Sequence, residues 1–244
     1  MIELKNIVKS YNGRVNAVDN LSLKINAGQI FGFLGHNGAG KTTTIKMITG
    51  IIEPDSGEIL INNINICKEP LKAKMDFAFV SDSPDAFLRL KGIEYLNFIG
   101  DMYNVPMDRK LERIMKLSKE FELEHALLDK IQSYSHGMRQ KIFIVGALIH
   151  DPKVLILDEP LTGLDPKAAS ILKNIMREHA NKGNTVFFST HVLEVAEKLC
   201  DEVAILNKGK LVYSGSLKDK IKELGESASL ENVFLEMVYN EETN

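Results

Sequence analysis

The 244-residue chain predicts an α/β fold with a mainly parallel sheet. Three observations carry that expectation. Short apolar runs bounded by turn residues recur along the chain, stretches of helical periodicity separate the later ones, and one long central block switches to helical spacing throughout. Composition agrees: 44% hydrophobic, 26% charged, 17 Gly and 7 Pro is close to an average globular chain and far from a disordered or collagenous one. The length admits one large domain or two small ones, with ample chain to bury a core.

Met1-Ile2-Glu3-Leu4-Lys5 alternates apolar and charged residues and lacks the basic-then-apolar layout of a signal peptide, so it reads as a strand. Strands are expected at about 2–8, 21–25, 29–34, 58–61 and 77–80, with turns at Asn12-Gly13 and Asp55-Ser56-Gly57. From 92 to about 149 the apolar residues Ile93, Leu96, Ile99 and Tyr103, then Leu111, Ile114, Met115 and Leu117, fall at helical spacing. Strands return at 154–157, 185–189 and 203–206, separated by helical patterns such as Ala168, Ile171, Leu172, Ile175 and Met176. That alternation implies parallel strands covered on both faces. A closing strand is expected at 211–213 and two short helices at 217–224 and 230–239. The strongest apolar run, 142–149, is far shorter than the roughly 20 residues a membrane-spanning helix needs.

Thirty Lys+Arg against 33 Asp+Glu give a formal charge of -3, so no global basic field draws the chain onto nucleic acid. The two cysteines, Cys67 and Cys200, show neither a CxxC motif nor a zinc-like histidine spacing. A reducing compartment and two small buried hydrophobes are the simpler expectation.

Gly35-His36-Asn37-Gly38-Ala39-Gly40-Lys41-Thr42 follows an apolar strand and precedes a helical stretch at 43–49, which is the P-loop pattern in its proper setting. Glycines let backbone N–H groups converge on phosphate oxygens, and the helix N-terminus adds partial positive charge. Lys41 would neutralise the terminal phosphates, and Thr42 would offer its hydroxyl to Mg2+. Val154-Leu155-Ile156-Leu157-Asp158-Glu159 is a buried strand ending in two acids. Ligands sit at the carboxyl ends of parallel strands, so Asp158 suits a Mg2+ contact and Glu159 a general base toward water.

Tyr134-Ser135-His136-Gly137-Met138 stands shortly before the acidic strand, at the expected start of a helix. With the motifs above, it makes the chain resemble the ATP-binding subunit of an ABC transporter over essentially its whole length. The segment occupies the place of the family signature, usually written LSGGQ: Ser135 and Gly137 match, whereas Tyr134, His136 and Met138 depart. The resemblance implies a P-loop ATPase core with an antiparallel β subdomain and an inserted α-helical subdomain at about 84–150. The ATPase domain would span 1–215, with a short helical extension at 216–244. It implies ATP and Mg2+ as cofactors and a head-to-tail homodimer, or a heterodimer with a similar subunit, in which Ser135 and Gly137 of one chain face ATP on the other.

Further roles follow from the same resemblance. Leu161-Thr162-Gly163-Leu164-Asp165-Pro166 matches the D-loop, and Asp165-Pro166 also suits a helix N-cap followed by the first helical residue. His191 matches the switch histidine beside Glu159, and Tyr11 the aromatic that stacks on adenine. Thr43 joins the nucleotide-binding set with Gly35, His36, Asn37, Gly38, Ala39, Gly40, Lys41 and Thr42. Asp82 stands where the Q-loop usually carries glutamine, and is expected to approach the metal through water. A separate transmembrane permease would dock near 82–103, where Phe87, Leu88, Leu96 and Phe98 are either interface or core. The subunit would then sit in the cytoplasm, peripheral on the inner face of the cell membrane. The signature departures and the short ending look like the branch serving export-type permeases, with cargo chosen by the permease.

Three other readings fit less well. A soluble ABC-type ATPase of DNA repair or the ribosome would need a long coiled coil or a second ATPase domain. A GTPase would need an aspartate where Asn207-Lys208-Gly209-Lys210 has Lys210. A module without turnover would not need Lys41, Asp158, Glu159 and His191 together.

Overall fold

The computed structural model describes residues 1–82, 87–216 and 219–220. Strands β1 (Ile2–Ser10), β2 (Asn16–Ile25), β4 (Ser56–Ile61) and β5 (Ile64–Asn65) form an antiparallel sheet in the order β2-β1-β4-β5. The second sheet has six strands in the order β10-β9-β3-β8-β7-β6: β3 (Ile30–Leu34), β6 (Phe77–Val80), β7 (Val154–Asp158), β8 (Thr185–Thr190), β9 (Glu202–Asn207) and β10 (Lys210–Gly215). It is parallel except for β10, which turns back against β9 at one edge. This is the mixed α/β architecture that the strand and helix pattern predicts.

The parallel strands read as near-continuous apolar runs because both their faces are covered. Phe31, Phe33, Ile156 and Phe187 point toward the antiparallel sheet and α1 (Lys41–Ile48), in a core shared with Ile2, Leu4, Ile7 and Ile45. Their neighbours Ile30, Leu34, Leu155, Leu157, Val186 and Phe188 point to the opposite core, packed with the helical block. That block comprises α3 (Gly92–Met102), α4 (Met107–Glu120), two 3-10 turns (Glu124–Ala126 and Ile131–Ser133) and α5 (His136–Leu148). α6 (Pro166–Asn181) covers the same face through Ala168, Leu172 and Met176.

Where observed elements differ from expectation, pairing outweighs local pattern. β2 begins at Asn16 rather than 21, because β1 pairs with it from Ser10↔Asn16 to Ile2↔Ile25 across three register shifts. Each shift breaks the two-residue alternation that marks a strand in sequence. Ser56 and Gly57 belong to β4 rather than to a turn, since Ser56 pairs with Val8. The short helices α2 (Pro70–Lys74) and α7 (Leu193–Leu199) are too brief to show a period. Cys200 is buried as expected, but Cys67 is exposed, outside either core. Among the described residues no helix is long and apolar enough to cross a membrane. The helices expected at 217–224 and 230–239 lie outside the described residues except for 219–220.

Candidate functional site

The carboxyl ends of β3 and β7 place the glycine loop and the two acids around one cavity of about 220 Å3. His36, Asn37, Gly38, Gly40, Lys41, Thr42, Thr43, Asp82, Asp158 and Glu159 line it, joined by Ala17 of β2, which the sequence reading did not include. Gly40, the residue before α1, has φ +105, and a Cβ there would lie 2.5 Å from the Ala17 carbonyl oxygen. No other residue fits so close an approach. α1 has no side-chain cap, so its first N–H groups are left for the loop's own ligand. The Lys41 ammonium, with 7% of the residue exposed, donates to the carbonyl oxygens of Gly35 (2.6 Å) and His36 (3.2 Å). Burial lowers its pKa, while the charges of Glu159 and Asp158 oppose that shift.

Asp158 ends β7 opposite Ser189 of β8. The Ser189 hydroxyl donates to Asp158 Oδ1 at 2.5 Å and accepts from the Glu159 amide at 3.0 Å. One fully buried hydroxyl thus fixes both acids. Burial raises the Asp158 pKa; the Ser189 hydrogen bond opposes it, and the nearby Asp82 and Glu159 carboxylates add to it. Glu159 turns out of the strand at φ +47, which aims its side chain at His191, with Oε1 2.9 Å from His191 Nδ1. A carboxylate held this way beside an imidazole is equipped to take a proton from water.

Tyr11 stands at the rim, 65% exposed, with its hydroxyl 3.4 Å from Thr43 Oγ1. Its flat face is available for stacking. Gly35 and Ala39 lie beneath the loop, both buried. Ser135, Gly137 and Asp165 do not line this cavity and form a second cluster. Ser135 caps α5, accepting from the Met138 amide at 3.3 Å. Asp165 caps α6, accepting from the Ala168 amide at 2.8 Å, and pairs with Lys141 at 2.6 Å. Gly137 and His136 pack against Gly163, where a Cβ would meet the His136 ring at 2.4 Å. Tyr134, a departure from the family signature, is buried and donates its hydroxyl to the Ala126 carbonyl at 2.5 Å. Its role is therefore to anchor the start of the helix. Ser189 carries no sequence signal, because a lone serine near the end of an apolar strand has no motif; its role comes only from its pairing opposite Asp158.

The family description "ABC transporter" matches residues 18–162 of the chain. The chain is 40% identical over 224 residues to the uncharacterized ABC transporter ATP-binding protein YhcH of Bacillus subtilis (strain 168), covering 90% of this chain and 71% of that one. The protein belongs to the ABC transporter family. Its backbone superposes with a TM-score of 0.92 on a solved ATP-binding subunit of an ABC transporter, at 34% identity over 97% of this chain and 99% of the other. A second ABC cassette, MJ0796, solved as a dimer in a post-hydrolysis state with ADP and Pi, matches with a TM-score of 0.81 at 26% identity, over 89% of this chain and 99% of that one. The chain is an ATP-binding and ATP-hydrolysing subunit of an ABC transporter, coupling hydrolysis to substrate movement by a separate membrane permease.

Proposed function

We propose that the cavity is the ATP site of a head-to-tail pair, with roles divided between the two clusters. The glycine loop, α1 and Thr43 cradle the phosphates, Lys41 neutralises them, Tyr11 stacks on the adenine, and Glu159, oriented by His191, takes the proton from the attacking water. Ser135, Gly137 and Asp165 act on the nucleotide of the partner subunit. The observation that carries this reading is the Asp158–Ser189–Glu159–His191 chain at the mouth of the glycine loop. The second cluster has its own helix N-terminus and does not line the cavity of its own chain.

The donor set also fits Mg2+. Thr42, Asp158 and Asp82 offer hard oxygen ligands, and an ion that keeps waters and phosphate oxygens around it asks for only one or two protein groups. Bound there with ATP, Mg2+ would neutralise charge developing on the phosphates. Asp82, on the cavity wall with its Oδ1 accepting from the Ser81 hydroxyl at 3.1 Å, is assigned a water-mediated approach to the ion.

The permease is assigned the apolar groove of about 380 Å3 formed by β6, α3 and α5, where Phe87, Met102, Tyr103 and Phe143 form part of the wall. Leu96 is core, at 0% exposure, whereas Phe87 and Phe98 are 41% and 45% exposed and suit an interface. The assembly would operate on the cytoplasmic face of the membrane, and the departures at Tyr134, His136, Met138 and Asp82 favour an export-type permease. The helical insertion is assigned to about 84–150, which is supported among the described residues by the shared core of Leu96, Ile114, Phe121 and Ile142.

Complementation tests the head-to-tail assignment. Lys41→Ala removes the cradle's charge but keeps the Ser135 helix; Ser135→Arg does the reverse. Each variant alone is expected to be inactive, and an equimolar mixture to recover ATPase activity through one composite site. A mixture no more active than the separate variants contradicts the assignment.

A further inference from the structure

The β9–β10 turn, whose Asn207-Lys208-Gly209-Lys210 does not complete a guanine-reading motif, has no role in the site described above, yet it is wedged against the back of the glycine loop. Lys208 and Gly209, at φ +46 and +83, form the two-residue turn between Asn207 and Lys210, which pair across the hairpin. Gly209 hydrogen-bonds in two directions. Its amide donates to the Ala39 carbonyl of the glycine loop at 3.0 Å, and its carbonyl accepts from the Asp19 amide of β2 at 2.9 Å. A Cβ on Gly209 would lie 2.9 Å from the Ala17 carbonyl oxygen and 3.1 Å from that of Asn16. A Cβ on Gly40 would meet the same Ala17 oxygen and lie 3.5 Å from Gly209 Cα. Loop, turn and the start of β2 are therefore stacked at backbone-to-backbone distance.

Ala17 lines the nucleotide cavity, and the Asn16–Ala17 step anchors the loop that carries Tyr11. That loop is braced internally: Asn12 Oδ1 accepts from the amides of Arg14 and Val15, and the Ser10 hydroxyl donates to the Val15 carbonyl. It is thus held in one shape directly beside its anchor. Lys210 adds an ion pair to Asp19 at 3.8 Å on the same junction.

We infer that Gly209 is a positioning residue that sets the separation between the phosphate cradle and the Tyr11 platform, so that the triphosphate and the base are bound as one rigid unit. Any side chain at Gly209 pushes Ala17 and the Tyr11 loop away while leaving the cradle's own glycines in place. The inference rests on the assignment of Tyr11 to the base, and it predicts a loss specific to ligands that carry one.

The test compares Mg2+-ATP with Mg2+-tripolyphosphate, which has the phosphates and lacks the base, by calorimetry on the full chain. Gly209→Ala and Gly209→Asn are used together: both add a Cβ, but asparagine tolerates positive φ far better. Both variants are expected to weaken ATP binding about tenfold, on the scale that small misplacements of binding groups produce, and to leave tripolyphosphate within about twofold. In the unaltered chain, amide exchange at Asp19 and Gly209 is expected to slow more with ATP than with tripolyphosphate, a readout independent of whether the variants fold.

Wild-type ATP affinity in Gly209→Asn, or equal weakening of both ligands, overturns the inference. Tyr11→Ala separates it from the reading beneath it. If Tyr11→Ala lowers ATP affinity selectively and Gly209→Asn does not, the positioning role is wrong and the adenine platform stands. If Gly209→Asn is selective and Tyr11→Ala is not, the Tyr11 assignment falls and the stated inference falls with it.

Discussion

Replacing Ser189 with alanine removes a single oxygen and should damage stability and catalysis together. Ser189 is fully buried, donates to Asp158 at 2.5 Å and accepts from the Glu159 amide at 3.0 Å. A hydrogen bond to a charged group contributes about 2 kcal/mol, and leaving the partly buried Glu159 amide without its partner costs about 1 kcal/mol more, for a total near 3 kcal/mol. In a chain of this length each kcal/mol moves the melting temperature by about 2–4 °C, so Tm should fall by about 6–12 °C. The Asp158 pKa, already raised by burial, should rise further once the opposing hydrogen bond is gone. Calorimetric melting without nucleotide, followed by ATPase assays over a Mg2+ titration, reads both effects. Expected are the lowered Tm, a lower kcat and a higher Mg2+ requirement. A Tm within about 2 °C of wild type with an unchanged Mg2+ profile would refute the reasoning that one hydroxyl holds both acids.

Other outcomes follow from the same geometry. Asp158→Asn should melt about 2–4 °C higher than wild type near neutral pH while losing turnover, because it removes a buried charge and keeps an acceptor for Ser189. The sign follows from the pKa: a carboxyl raised above its ordinary 3.8 in the folded chain makes folding less favourable as pH rises through that window. Lys41→Ala should weaken ATP binding itself, and undiminished affinity in a direct binding assay would remove Lys41 from the phosphate contact. His150, stacked on Tyr103 with ring centroids 3.6 Å apart, has its pKa lowered by burial from 6.5 to about 4. The unfolded chain takes up that proton first, so stability should drop by about 3 kcal/mol as pH falls through this interval. Denaturation of His150→Gln across the same range should show a shallower decline; an identical slope would mean that other groups set it.

Much of this site was legible because its chemistry is local in sequence. The glycine loop, the acid pair after an apolar strand, and the Ser135 and Asp165 caps are each contiguous, and backbone geometry converts such runs directly into a cradle, a strand end or a helix start. What escaped was set by pairing between distant segments. Ser189 acquires its role only opposite Asp158, Ala17 only beneath Gly40, and Gly209 only between Ala39 and Asp19. The true start of β2 was hidden for a related reason, since bulges at Asn6 and Asn20, both at positive φ, interrupt the alternation that reveals a strand. Among the apolar residues after Asp82, periodicity separated helix from strand but not core from surface: Leu96 and Phe98 share a helix, and only one of them is buried.

The mass of the Glu159→Gln variant in solution tests the central assignment most directly. This variant keeps the cradle and the Ser135 helix and loses only the carboxylate that would activate water. With Mg2+-ATP it should pass from a 27.3 kDa monomer to a species of twice that mass, retain two ATP per pair without turning them over, and return to monomer when the nucleotide is withdrawn. A variant that binds ATP to saturation and remains monomeric, or that hydrolyses it at the wild-type rate, contradicts the account.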